Sequence, residues 1–64
     1  MLCRRIKALR LKRSLTQQEV AGQLGISQAA YSRLEKGEVE VSYMKLISLS
    51  ELFAVPLLRL LDEV

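Results

Sequence analysis

Apolar residues recur along the chain in steps of three and four, and no strand pattern or internal repeat competes with them. Leu2, Ile6, Leu9 and Arg13 share one helical face with basic residues mostly around it, which predicts an amphipathic first helix over residues 2–13. Thr16 followed three residues later by Glu19 forms a capping box, so a second helix should run over about 17–24. Gly25 then stands where a helix end needs a left-handed residue. Ser27 can cap a third helix over about 28–36, with Ala30, Tyr31 and Leu34 turned inward and Gly37 as its stop. Ser42 can cap a fourth over about 43–53, with Tyr43, Leu46, Leu49, Ser50 and Phe53 on one face. Pro56 suits a helix start, and Leu57, Leu60, Leu61 and Val64 mark the stripe of a short fifth helix.

This pattern predicts an all-α fold, a compact five-helix bundle forming a single domain over residues 1–64. Composition agrees: half the residues are apolar and 5% are aromatic, so aliphatic side chains must fill the core. A chain of 64 residues buries only about 60% of its unfolded surface, so that core must be efficient or shared with a partner. The lone Cys3 cannot form an internal disulfide, and no long apolar stretch or secretory signal is evident. A cytoplasmic location is therefore expected, without a membrane association. With no histidine, neither a zinc cluster nor a Cys/His nucleophile pair can be assembled, and no glycine-rich phosphate loop or paired carboxylates mark a catalytic pocket. No enzyme, metal, cofactor or small-molecule effector is expected.

The formal net charge of +3 is unevenly distributed. Residues 1–13 carry six basic groups and no acidic one, whereas residues 37–64 carry two basic groups against five acidic ones. The basic end suits an anionic partner, although on charge alone a merely solvated helix face serves equally well.

The second and third helices, joined by three residues including Gly25, have the spacing of a helix-turn-helix, whose second helix enters the DNA major groove. Val20, Leu24, Ile26, Tyr31 and Leu34 supply its apolar contacts, and Ala21 is small where the helices should cross. With "IKALRLKRSLTQQEVA", the turn "LGIS", the ending "SRLEKG" and the apolar "LISLSELFAV", nearly the whole chain resembles the lambda-repressor and Cro-like (XRE) helix-turn-helix family. The resemblance implies a transcriptional regulator, expected to be a repressor, that reads double-stranded DNA with its third helix. It places Gln17 on a phosphate at the start of the second helix, and an ion pair between Arg10 and Glu35 that joins the first helix to the recognition helix and leaves Arg10 within reach of phosphates. Ser27, Gln28, Ala29, Ser32 and Arg33 occupy the exposed face of the recognition helix, with Ser27 expected at a phosphate and the others at bases. Glutamine can pair with adenine, arginine with guanine, and a small alanine can meet a thymine methyl. Arg33 stands far enough along the helix that a phosphate is almost as good a partner.

Two features depart from the family pattern. The loop "GEVEVS" carries Glu38 and Glu40 where relatives often place groups that attract the DNA backbone. Leu58, Ile47 and Met44 are surplus to the inward stripes and suggest a homodimer reading an inverted repeat, with a monomer bearing scattered exposed leucines as the plain alternative. A different class of function is an antitoxin-type module that binds a toxin or another protein as well as DNA, although the extra toxin-binding segment usual in such proteins is not evident in this sequence.

Overall fold

The structure is a computed structural model that describes residues 2–61. Those residues fold as α1 (Leu2–Lys12), α2 (Gln17–Leu24), α3 (Gln28–Glu35), α4 (Tyr43–Leu52) and α5 (Leu57–Leu61), with no strand among them. The all-α five-helix architecture expected from the sequence is thus the observed one, and the first four helices end within one residue of their expected limits.

Hydrogen bonding at the ends explains where α2, α3 and α4 start. The Thr16 hydroxyl accepts the Glu19 N–H at 3.0 Å, while the Glu19 carboxylate accepts the Thr16 N–H at 2.8 Å. Ser27 and Ser42 cap α3 and α4 by accepting the N–H groups of Ala30 and Lys45. The exits of α1 to α4 share one motif, in which an N–H beyond the helix returns to a carbonyl five residues earlier: Leu15 to Arg10, Ile26 to Ala21, Glu38 to Arg33 and Val55 to Ser50. The residue before each donor is left-handed. Gly25 and Gly37 meet that demand without a Cβ, but Ser14 (φ 57°) and Ala54 (φ 55°) carry one.

The core forms where the inward stripes converge. Ile6, Val20, Tyr31, Leu49, Phe53 and Leu60 are fully removed from solvent, with Ala21 and Leu34 nearly so. Each such aliphatic or Phe side chain contributes roughly 1.5–3 kcal/mol through burial. α3 packs on α1 and α2, α4 on α2 and α5, and α5 closes back on α1. The stripes overreach at their edges. Tyr43 was expected inward but is 65% exposed, because it opens the first turn of α4 at the margin of the packed face. Leu61 is likewise exposed at the end of α5, and Val64 lies outside the described residues. Arg13 falls just past α1 and is exposed; its guanidinium donates to the Phe53 carbonyl at the end of α4 rather than joining the inward face of α1.

Candidate nucleic-acid interface

Tyr31, Leu34 and Glu35 of α3 face inward and are buried, so the helix is seated through one side. Its other side exposes Gln28, Ala29, Arg33 and, just past the helix, Lys36. Ser32 is half-buried between these two faces. Ser27 is exposed at the N-terminus; its oxygen accepts from Ala30 as the cap, which leaves the hydroxyl hydrogen available to an outside acceptor. One edge of α3 therefore carries an amide, a methyl, a hydroxyl and two cations within two turns.

Beneath that helix lies a buried polar network. Arg10 Nε donates to Glu35 Oε2 at 2.5 Å and its Nη2 donates to Oε1 at 3.3 Å, a two-point contact between α1 and α3. Arg10 Nη1 donates to the Leu15 carbonyl at 2.8 Å, tying the same guanidinium to the turn before α2. Gln17 Nε2 donates to Glu35 Oε1 at 3.1 Å, so the first residue of α2 joins the network. Arg10 and Glu35 are 8% and 7% exposed, so both charges are largely out of water and depend on each other. The phenol of Tyr31 is buried beside them, and its hydroxyl makes no hydrogen bond among the described residues.

The ionisation of these groups follows from this geometry. Burial pushes the Glu35 carboxyl upward, but the hydrogen bonds from its neighbours, Arg10 foremost, outweigh it and hold the group below the ordinary carboxylate value. The hydrogen bond to Glu35 raises Arg10 against the opposing effect of burial. Burial, reinforced by the negative charge of Glu35, raises the Tyr31 phenol well above its usual range. The network is therefore a fixed ion pair with a neutral phenol across the neutral pH range.

Two groups expected at phosphates meet in this network. The Arg10 guanidinium is buried against Glu35 and the Leu15 carbonyl, where it ties α1 to the end of α3 and to the turn before α2. Gln17 turns one amide N–H toward Glu35. Neither the Gln17 link nor the Arg10 bond to Leu15 was legible in the sequence, because residue spacing carries no sign of a contact across two helices.

Away from α3, Met44 and Leu58 are 70% and 82% exposed, whereas Ile47 is half-buried. Glu38, Val39 and Glu40 of the loop after α3 are exposed as well.

A helix-turn-helix family model matches residues 6–60, which takes in α2, the turn, α3 and the helices that support them. The chain belongs to the lambda-repressor-like helix-turn-helix family. Among curated relatives of this helix-turn-helix chain, a Pyrococcus horikoshii protein named as an HTH-type transcriptional regulatory protein is 41% identical over 59 residues, covering 92% of this chain and 19% of that protein. The Bacillus subtilis protein YqaE, named as an HTH-type transcriptional regulator, is 39% identical over 57 residues, covering 89% of this chain and 49% of its own length. The helix-turn-helix chain thus spans about a fifth of one relative and about half of the other. No solved structure gives a significant match.

Proposed function

We propose that this helix-turn-helix chain is a sequence-specific reader of double-stranded DNA that regulates transcription, acting as a repressor at a short inverted repeat. The observation that carries the proposal is the exposed edge of α3, where Gln28, Ala29 and Arg33 stand on a helix fixed from beneath by the Arg10–Glu35 pair. In the major groove, Gln28 reads adenine, Ala29 meets a thymine methyl, Ser32 takes a nearby base edge, and Arg33 reaches guanine or the flanking phosphate. The backbone N–H groups opening α2 and the hydroxyl of Ser27 sit on phosphates on either side of the groove.

Exposed Met44 and Leu58, with half-buried Ile47 one turn along α4 from Met44, support a C2 dimer that would set two recognition helices about 34 Å apart, one turn of the duplex. A monomeric mass by light scattering at micromolar concentration, with and without DNA, would remove the dimer and the inverted repeat together. Glu38 and Glu40 repel phosphate, which either weakens non-specific binding or turns the loop away from the DNA. The slope of log affinity against log salt should be correspondingly shallow, since each neutralised phosphate adds about 0.9 to it.

The direct test is fluorescence-anisotropy binding to the DNA upstream of the protein's own gene against a shuffled duplex, at two salt concentrations. A preference that widens as salt rises is expected. Equal, salt-sensitive binding to both duplexes would sink the reading of an autoregulating sequence reader. Gln28→Ala is then expected to lose about 1–3 kcal/mol on the preferred site and little on the shuffled one, and equal loss on both would move Gln28 from base to backbone contact.

A further inference from the structure

The loop after α3 has no part in reading DNA, because its exposed Glu38 and Glu40 repel phosphate. Beside it lies an open groove of about 350 Å³, between the start of α1 and residues 39–41. Leu2 and Cys3 line it from α1, Val39 and Val41 from the loop, and Leu34 from α3. Val39 is 47% exposed, so hydrocarbon here stands open to water. Glu40 is the one charged side chain in the lining, and Glu38 stands two residues before it. Among the described residues, the backbone N–H and C=O groups of Val39, Glu40 and Val41 bond to no other backbone group.

Each feature selects a property of the occupant. The apolar lining takes an aliphatic side chain, and the paired carboxylates favour a cation next to it. The free main-chain groups of the loop can pair with an extended segment laid along them, as the edge of a sheet does. A second copy of the chain offers aliphatic and basic neighbours at Leu11–Lys12 and Leu58–Arg59, but both pairs lie within helices and cannot lay an extended main chain along the loop. Leu34 belongs to the inward face of α3, so the groove and the exposed reading edge lie on different sides of that helix.

We infer that this groove is a docking site for a protein partner, taking an extended segment in which aliphatic residues alternate with lysine or arginine. The inference does not rest on the DNA-reading function, and its test uses no sequence preference for DNA.

The methyl-labelled chain is titrated with acetyl-Lys-Leu-Lys-Leu-Lys-amide while the methyl signals of Leu2, Leu34, Val39 and Val41 are followed by NMR. Acetyl-Glu-Leu-Glu-Leu-Glu-amide and acetyl-Lys-Ser-Lys-Ser-Lys-amide serve as controls. Only the first peptide should move the groove signals to saturation, and its affinity should fall as salt rises. Glu38→Lys combined with Glu40→Lys changes two exposed residues and should weaken that peptide about 3- to 10-fold, the size of two exposed charge pairs. An equal response to the two leucine peptides, an equal response to the two lysine peptides, or still groove signals at millimolar peptide would each overturn the inference. The salt series needs no variant, and an affinity indifferent to salt overturns the part played by the carboxylates. Groove signals that move with protein concentration alone would make a second copy the occupant, and signals that move on adding duplex would assign the loop to DNA; either result overturns the inference as well.

Discussion

The helices α1 and α3 bury charge, Arg10 and Glu35, whereas the fully buried side chains on α4 and α5 and at the end of α4, Leu49, Leu60 and Phe53, are all apolar. Apolar contacts are non-directional, so the α4–α5 side can be held together by volume and area alone. The Arg10–Glu35–Gln17 network works differently, because each bond fixes a direction as well as a distance. The difference separates two tasks: hydrocarbon supplies cohesion, and the polar network supplies the orientation of the helix that presents Gln28, Ala29 and Arg33.

The largest effect should come from breaking the network at its centre. Arg10→Met leaves the Glu35 carboxylate buried without its cation, which costs about 3–5 kcal/mol. A 64-residue domain has only about 3–10 kcal/mol to lose. Chemical denaturation should therefore show severe destabilisation, and DNA binding should fall with it. Replacing both partners, as in Arg10→Met with Glu35→Leu, removes the orphaned charge and should return most of the stability. The comparison predicts that this double variant stays folded yet discriminates poorly between duplexes. A double variant with wild-type discrimination would show that the pair contributes cohesion and nothing more.

Acid titration should produce the next effect in size. The Glu35 carboxyl is held below its ordinary value of 4.5 in the folded chain, so at low pH the unfolded chain binds the proton more readily. Its contribution to stability is complete above the unfolded value and is lost as pH falls through the folded one. Glu19 is shifted in the same direction by its hydrogen bonds to Thr16, but it sits in solvent at a helix cap. Melting temperature should therefore hold steady from neutrality down to about pH 5 and decline below about pH 4.5. The double variant lacking Arg10 and Glu35 should decline less steeply than wild type, and identical slopes would assign the loss to the caps instead.

What could be read from the sequence follows the same division. Thr16, Ser27 and Ser42 were legible because a cap is a local event, completed within three residues. Ile6, Val20, Leu34, Leu49 and Leu60 were legible because helical periodicity sorts inside from outside. Periodicity does not say where a neighbouring helix stops, which is why it puts Tyr43 and Leu61 on inward stripes although both are exposed. Contacts across elements left still less trace. The Arg10–Glu35 pair spans 25 residues and was suggested by family resemblance alone, and the Gln17–Glu35 bond, spanning 18, was not suggested at all. Arg13 read as part of a helix face because its true partner, the Phe53 carbonyl, lies 40 residues away.

The smallest effects should come from the helix exits, where the glycine and non-glycine turns sharpen the comparison. Gly25 and Gly37 could be read as left-handed positions because glycine advertises them, but Ser14 and Ala54 occupy the same conformation with nothing in the sequence to mark it. Each of these two turns receives an arginine from the α1 end of the chain: Arg10 bonds to the Leu15 carbonyl beside Ser14, and Arg13 to the Phe53 carbonyl beside Ala54. The left-handed region costs a residue with a Cβ roughly 1–2 kcal/mol. Removing the Cβ also frees the unfolded chain, which takes back about 0.4–1 kcal/mol. Ala54→Gly should consequently stabilise the domain by a net of about 0.5–1 kcal/mol, raising the melting temperature by a few degrees, and Ser14→Gly should do the same. Both residues are exposed, so neither change empties a core position. The opposite substitutions should lose stability, Gly37→Ala more than Gly25→Ala, because a Cβ at position 37 would stand 3.3 Å from Cys3 Sγ whereas one at position 25 meets nothing within 4 Å. If Ala54→Gly instead lowers the melting temperature, the backbone at that exit is not left-handed in solution, and the Arg13 bond to Phe53 would be serving a different turn.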